Sequence, residues 1–348
     1  MKVQEFRDLD ALYIKLQSLP SFVENYIDYT LAKNLSPSSL LEYAKDFKSL
    51  FIWMSSEFPE DINHPAEIKI YHLELITVEH IQKFESHLYE VERLKTRTIS
   101  RRINAIRSLF NYLHDVAENV SGDPLLKRNI FRKITTTRVS NALMDAREIQ
   151  TKTITSTEAD EFVSYVRSQY RADNATNPQA IWNYNLNGIR DICIINLMLR
   201  VGLLVSDIVN LNVSDITLKD KVIRISRQWS GHKSFHTILF GETTAADIIA
   251  YFNIRMAVYH PDKSEDALFL TIPNGQRVGK RMTKRAIQEM VIKYSKKYGE
   301  NKITTRQLRH SFGIKHQRQN CAVDTKTQLA LRNLEGTEKY QILTKIME

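Results

Sequence analysis

The segment Thr304–Gly313 constrains this chain more than any other stretch. It reads TTRQLRHSFG and places Arg306, Arg309 and His310 within about one helical turn of one another. Arginine offers a planar fork of donors that can grip two phosphate oxygens, and a helix N-terminus adds exposed N–H groups and a favourable dipole. The pattern therefore predicts either a phosphate-binding site or a solvated basic turn, and the residues alone leave both open.

Length and charge narrow the class of protein. The chain has 348 residues, which predicts two domains with separate cores. Its net charge of +9 favours an anionic partner, and nucleic acid is favoured over a membrane. No segment approaches the roughly 20 apolar residues of a membrane span, so we expect a cytoplasmic protein without a membrane partner.

The cysteines indicate a reduced protein. Cys193 and Cys321 are the two cysteines of the chain, and they match neither a disulfide framework nor a zinc-ligand spacing. We therefore expect no metal and no cofactor.

The amino-terminal part, 1–118, has helical periodicity and little strand pattern. Phe22, Tyr26 and Ile27 begin an apolar stripe, hydroxyl caps around Ser36 precede a helix over Leu40–Phe58, and Thr77 is expected to cap a helix over Val78–Val91.

The next predicted helix, Thr98–His114, carries two different faces. Its apolar residues recur at helical spacing and are expected to pack, whereas the polar residues lie on another face. That polar face is formed by Arg97, Arg101, Asn104 and Ser108, with Arg102 and Arg107 flanking it. Such a face is either solvated or in contact with DNA.

The remainder predicts a linker over 119–150 and a mixed domain over 151–348. Its expected elements are a helix opened by a Thr155–Glu158 capping box, a polar insertion at Arg171–Asn185, a buried helix at Asn187–Arg200, strands at Lys221–Ser226, Ser234–Phe240 and Ala267–Leu270, a helix opened by Gly279–Arg285, and a helix at Thr325–Asn333. The predicted fold class is mainly α with a small antiparallel β-sheet.

Several of these motifs resemble those of tyrosine recombinases, the phage integrases and Xer-type enzymes. TTRQLRHSF is similar to the family box T-P-H-x-L-R-H-T-F, and VGLLVSDIVNLNVSDI is similar to T-G-L-R-x-S-E-L-x-x-L-x-x-x-D-I. TISRRINAIRSLFNYL and LSPSSLLEYAKDFKSLFIWM resemble helices of the family's core-binding domain. The resemblance implies a two-domain fold, a helical core-binding domain plus a catalytic-like α/β domain, which together form a C-shaped clamp on duplex DNA.

The resemblance also implies roles for single residues. Arg309 and His310 match the arginine and the following histidine of the box, and Tyr340 matches the tyrosine nucleophile. If the chain is active, the catalytic residues are therefore Arg306, Arg309, His310 and Tyr340.

This chain departs from the family at the reacting positions. The first histidine of the box is Arg306, the catalytic arginine is Leu204 and a second histidine is Leu331, while Lys233 does not clearly match the catalytic lysine. Loss of one preorganised cationic donor costs about 3 to 4 kcal/mol of transition-state stabilisation, by analogy with oxyanion-hole deletions. DNA binding needs only shape and positive charge.

These departures favour DNA binding without cleavage. The first hypothesis is a sequence-specific regulator, a transcriptional repressor, since the combination resembles the recombinase-fold lysogeny repressors of SPβ-like Bacillus prophages. An active recombinase is the alternative, and an accessory subunit that joins another recombinase is a third. The partner is double-stranded DNA at an operator-like or recombination-like site, with self-association or a second recombinase left open. Residues expected to contact DNA are Arg97, Arg101, Arg102, Asn104, Arg107, Arg227, Lys233, Lys280, Arg281, Lys284, Arg285, Arg306 and Arg309.

Overall fold

The chain divides into two compact units. A computed structural model describes residues 3–134, 142–151, 153–229, 232–272, 275–299 and 302–346. The first unit is built from Met1–Val139, and the second from Ser140–Trp229 with Lys233–Glu348. The division falls inside the stretch for which the sequence predicts a linker.

The first unit is helical. Its helices are α1 (Val3–Leu16), α2 (Ser21–Ala32), α3 (Pro37–Glu57), α4 (Ile70–Leu75), α5 (Val78–Glu90) and α6 (Thr96–Asp115). Two of them begin where hydroxyl side chains satisfy free N–H groups, as the sequence predicts. The Ser36 hydroxyl accepts from the amide of Ser39, and the Thr77 hydroxyl accepts from the amide of His80, both at 3.3 Å.

Helices α3 and α6 provide much of the core of the first unit. Phe47, Phe51 and Phe110 are fully buried, and the ring of Tyr26 meets that of Phe47 edge-on at 5.6 Å. Burial of one such ring stabilises the fold by about 1.5 to 3 kcal/mol. The apolar face predicted for α6 is therefore the face that packs.

The second unit combines helices with two small sheets. Its helices are α7 (Ala142–Gln150), α8 (Ser156–Ser164), α9 (Tyr170–Asp173), α10 (Pro178–Asn196), α11 (Val205–Asn210), α12 (Glu242–Tyr259), α13 (Lys284–Tyr298), α14 (Thr305–Gln319), α15 (Ala322–Gln328) and α16 (Glu335–Ile346). Its strands are β1 (Ile216–Thr217), β2 (Val222–Trp229), β3 (His232–Leu239), β4 (Leu270–Thr271) and β5 (Lys280–Arg281). The predicted capping box opens α8, because Thr155 and Glu158 exchange hydrogen bonds of 2.7 and 3.1 Å.

The sheets agree with the predicted fold class. Strands β1, β2 and β3 form one sheet in that order, with Ile216 opposite Ile223, and β4 pairs antiparallel with β5. The chain is mainly helical with a small antiparallel sheet, so the prediction is confirmed.

Two local predictions were right only in part, for identifiable reasons. The predicted polar insertion contains the first two turns of α10, because the Asn177 side chain accepts from the amide of Ala180 at 3.0 Å and Pro178 suits a first helical turn. The segment Gly279–Arg285 opens α13 as predicted, but only its last three residues belong to the cap and the first turn of the helix. Lys280 and Arg281 form β5, and the cap is Thr283, whose hydroxyl accepts from Ala286 at 3.1 Å.

Candidate active site and nucleic-acid interface

Helix α14 carries the predicted cluster of Arg306, Arg309 and His310, and these residues differ in their exposure. Thr304 and Gln307 form a capping box that starts the helix. From there the helix exposes Arg306 but buries Arg309 and His310, which are 7% and 8% exposed. The three residues are close together as predicted, yet only Arg306 lies at the surface.

Arg309 is bound by the protein's own backbone. One terminal nitrogen donates to the carbonyl of Gly202, and the other donates to the carbonyl of Leu329 at 2.8 Å. Burial lowers the pKa of Arg309 to about 10, which still leaves it charged at neutral pH. The guanidinium therefore anchors two chain segments in this conformation.

Arg227, on β2, supplies a second buried guanidinium. It forms a two-point ion pair with Asp207 at 2.5 and 3.1 Å, and its remaining terminal nitrogen donates to the carbonyls of Leu329 and Ala330 at 2.8 and 2.5 Å. Arg227 and Arg309 thus share the Leu329 carbonyl. Of the residues expected to contact DNA, these two are the ones whose side chains are buried.

The positions that resemble a catalytic arginine and a second histidine are apolar. Leu204 precedes α11, where its amide donates to Asp207 at 2.8 Å, and its side chain is 38% exposed. Leu331 packs against the apolar cluster around Phe312 and Tyr340. Neither leucine side chain can donate a hydrogen bond or transfer a proton.

Tyr340 lies inside the second unit, on α16. The residue is 1% exposed, and its hydroxyl is 3.0 Å from Nδ1 of His310. Burial raises the pKa of Tyr340, although Arg309 and Arg306 oppose the rise. Burial also lowers the pKa of His310 to about 3, with Lys339, Arg306 and Arg309 acting in the same direction. His310 is therefore neutral at physiological pH.

Helix α7 helps to hold Tyr340 in place. It lies in the stretch predicted as linker, yet it is helical and packs on α16. Ala146 and Ile149 from α7 join Phe312, Tyr340 and Leu343 in one apolar cluster. The tyrosine helix is therefore packed on its own chain from two sides, by α7 and by α14.

On the first unit, α6 exposes part of its predicted polar face. Arg97, Arg101 and Asn104 are exposed. Arg101 also forms a two-point ion pair with Asp46 at 2.6 and 2.9 Å, and the Asp46 side chain is 2% exposed. The arginine is accordingly oriented by a buried carboxylate.

The flanking residues of α6 are turned toward their own unit. Arg102 donates to Ser49 and Glu92, both at 2.8 Å, and its side chain is 15% exposed. Arg107 donates to the carbonyl of Ile134 at 2.9 Å. These two arginines stabilise the first unit.

On the second unit, too, some of the residues predicted to contact DNA are exposed and others bind within their own unit. Lys233, Lys280, Lys284 and Arg285 are exposed. Arg281 is instead held by the carbonyls of Val209 and Leu211 and by the side chains of Asn212 and Asp266, at 2.7 to 3.0 Å. Arg281 therefore connects β5 to the chain around α11 by hydrogen bonds.

Sequence reasoning missed the two carboxylates that organise these arginines. Asp46 and Asp207 are both buried, at 1% and 4% exposure. The signal in the sequence was a lone carboxylate within an amphipathic helix. Because aspartate is almost never fully buried without a partner, such a residue indicates a partner elsewhere in the fold. The partners lie 55 and 20 residues away along the chain.

The described part of the chain contains neither a metal-type cluster of side chains nor a helix suited to a membrane. Within that part of the chain, no group of three or more His, Cys, Asp and Glu side chains is arranged to hold a metal ion. None of the helices described is both long enough and apolar enough to cross a membrane.

The depressed pKa of His310 predicts a specific dependence of stability on pH. The unfolded chain binds a proton on this residue below its ordinary pKa of 6.5, whereas the folded chain does not until about pH 3. Stability is therefore lost as pH falls through this window, by about 2 kcal/mol from this residue between pH 6.5 and pH 5. Urea unfolding at several pH values should show a shallower loss for His310→Asn, and parallel profiles would contradict the burial of a neutral imidazole.

Gly313 gives a test of the Tyr340 packing. A Cβ at this position would lie 2.7 Å from the Tyr340 ring, so Gly313→Ala should destabilise the fold by about 1 to 3 kcal/mol despite its better helix propensity. Gly241→Ala is the control, because nothing lies within 4 Å of its Cβ. In a Tyr340→Ala background the cost of Gly313→Ala should vanish, and additive costs in urea unfolding would show that the two residues do not touch.

Solved structures share this fold. A crystal structure of the XerH site-specific recombinase bound to its difH substrate, a pre-cleavage complex, is similar with a TM-score of 0.61 and 15% identity, over 89% of this chain and 78% of that one. A lambda integrase dimer bound to a COC′ core site is similar with a TM-score of 0.54 and 12% identity, over 92% of this chain and 76% of that one.

Sequence comparison extends the likeness to most of the chain. Tyrosine recombinase XerS of Streptococcus uberis is 31% identical over 307 residues, which cover 85% of this chain and 84% of the relative. XerS of Streptococcus thermophilus is 30% identical over 324 residues, 90% of this chain and 86% of the relative. The phage integrase N-terminal SAM-like domain matches residues 23–116, and the phage integrase family matches residues 170–343. The chain therefore belongs to the phage integrase family of tyrosine recombinases.

Proposed function

We propose that this protein binds a specific site on double-stranded DNA without cutting it and acts as a transcriptional repressor, of the kind that maintains prophage lysogeny. The proposal rests on the apolar Leu204, at the position that resembles the family's catalytic arginine, and on the buried Arg309, whose terminal nitrogens already donate to the carbonyls of Gly202 and Leu329. An operator-binding role would place the protein in the cytoplasm with the nucleoid.

Family membership and charge support DNA as the partner. The two solved structures described above contain DNA, and the chain has a net charge of +9. Exposed cations lie on α6 of the first unit and at the start of α13 of the second, at Arg97, Lys284 and Arg285. Lysine and arginine at such positions bind phosphates, while Asn104, which is also exposed, has the amide that can read an adenine edge.

Energetics support the loss of cleavage. The family reaction needs cations on the non-bridging oxygens of the phosphate and proton transfer at the tyrosine and the leaving group. One absent donor lowers the rate by roughly 10² to 10³. Leu204 and Leu331 remove two donors, and Tyr340 is 1% exposed. Binding depends on none of these three residues.

The repressor role follows from binding without chemistry. A protein that occupies one DNA site and leaves its strands intact can act there by excluding or recruiting other proteins. The resemblance to recombinase-fold lysogeny repressors favours exclusion. Self-association or pairing with another recombinase is compatible with this role.

An active recombinase is the second candidate, and a specific observation favours it. Arg227 and Arg309 place two guanidiniums on one carbonyl, so the second unit retains two buried cations although Leu204 has replaced one. The relatives with about 30% identity are named tyrosine recombinases. If Arg227 and Arg309 exchanged carbonyls for phosphate oxygens, a clamp would be restored.

The two candidates differ in whether a covalent adduct forms. The protein is first used to select its own site from random duplexes, and that site is then nicked so that cleavage becomes irreversible. We expect no protein–DNA adduct on a denaturing gel, while a recombinase on its own site forms one. We also expect Tyr340→Phe to bind with an affinity unchanged within about twofold, or ~0.4 kcal/mol.

An adduct that disappears in Tyr340→Phe would establish the recombinase instead. Loss of binding in that variant, with unfolding still cooperative, would count against the repressor.

Salt dependence tests the predicted phosphate contacts of α13. Replacing Lys284 and Arg285 together by alanine should weaken binding to all sequences alike and should reduce the slope of log K against log salt by about 1 to 2. Lys263→Ala is the control, since this lysine is exposed but is not among the predicted contacts. Equal slopes for the double variant and the control would remove α13 from the interface.

A further inference from the structure

Three side chains from α14 and α16 form one hydrogen-bonded row. Arg306 and His310 are one turn apart on α14, and Nε of Arg306 donates to Nε2 of His310 at 3.2 Å. On its other side the imidazole meets Tyr340, with Nδ1 at 3.0 Å from the phenolic oxygen. Both ring nitrogens are therefore engaged.

The chemistry of arginine decides which nitrogen carries the proton. A guanidinium has only donors, so the ring nitrogen that faces it must accept. A neutral imidazole has one donor and one acceptor. Since Nε2 accepts from Arg306, the proton is on Nδ1, and Nδ1–H points at the oxygen of Tyr340.

The surroundings of His310 exclude the doubly protonated imidazole. In that form both ring nitrogens would be donors, and Nε2 could not accept from Arg306. The charged groups that face His310 are Arg306 and Arg309 on its own helix, Lys339 on α16 and Glu148 on α7. Three cations outweigh one carboxylate around a residue that is 8% exposed. The burial and the cations keep the imidazole neutral.

We propose that Arg306 is a positioning residue that fixes His310 as the Nδ1–H tautomer and so makes the oxygen of Tyr340 a hydrogen-bond acceptor. His310 then has no lone pair directed at the tyrosine and cannot remove its proton. The phenolic hydrogen must point away from the imidazole.

Arginine at position 306, where the family box has histidine, therefore changes more than the local charge. The cation at Arg306 dictates the tautomer of His310, and that tautomer closes the only direct route from the Tyr340 proton to this imidazole. The row of Arg306, His310 and Tyr340 is present in the protein without DNA, so its test does not depend on the proposed function.

Substitutions at position 306 can reverse the tautomer. Arg306→Glu places an acceptor opposite Nε2, which should move the proton to Nε2 and leave Nδ1 to accept from Tyr340. Arg306→Lys keeps a donor and is the matched control. Arg306→Met offers neither and should give a mixture of tautomers.

The test is long-range ¹H–¹⁵N NMR on the full chain labelled with ¹⁵N-histidine, at pH 8, where an unprotonated and a protonated ring nitrogen are readily distinguished. The signals of His310 are assigned with His310→Asn. We expect a protonated Nδ1 in the wild type and in Arg306→Lys, and a shift of the proton to Nε2 in Arg306→Glu.

Two results would overturn the proposal. A protonated Nε2 in the wild type would show that His310 does not accept a hydrogen bond from Arg306. An unmixed Nδ1–H tautomer in Arg306→Met would show that Arg306 does not set it, and this variant decides the matter even if Arg306→Glu does not fold.

Discussion

The second unit depends on one backbone carbonyl, that of Leu329, where two buried guanidiniums meet. Arg227 reaches it from β2 and Arg309 reaches it from α14. Each brings a further anchor, Asp207 for the first and the carbonyl of Gly202 for the second. Because buried charges require full pairing, these contacts fix the strand, the helix and the chain before α16 relative to one another.

The same contacts stabilise the fold and occupy the donors that a reaction on a phosphate would need. A guanidinium that donates to protein carbonyls can bind a phosphate only by giving up those bonds. Leu204, two residues after Gly202, has no donor in its side chain, and Tyr340 is packed between α7 and α14. The chain keeps the family fold, while Arg309 and Tyr340 are both buried in the second unit.

The sequence predicts the parts of this structure that depend on local patterns. The caps at Ser36, Thr77 and Thr155 follow from hydroxyl side chains placed before apolar periodicity, and they were confirmed. The family motifs predict the fold class. By contrast, β5 was missed because the two residues Lys280 and Arg281 pair with a strand formed ten residues earlier, which no local period reveals.

The candidate site was less predictable than the fold, for a physical reason. Residue type shows that Arg101 and Arg227 are cations, but only the tertiary fold shows that one is held by Asp46 and the other by Asp207. The covering of Tyr340 by α7 also depends on a contact across about two hundred residues of chain. The most direct test is a structure of the protein on its selected DNA site at a resolution that shows side chains. We expect Arg309 still to donate to the carbonyls of Gly202 and Leu329 and Tyr340 to remain inside the second unit, whereas Arg309 bound to a phosphate with Tyr340 facing the DNA would contradict this expectation.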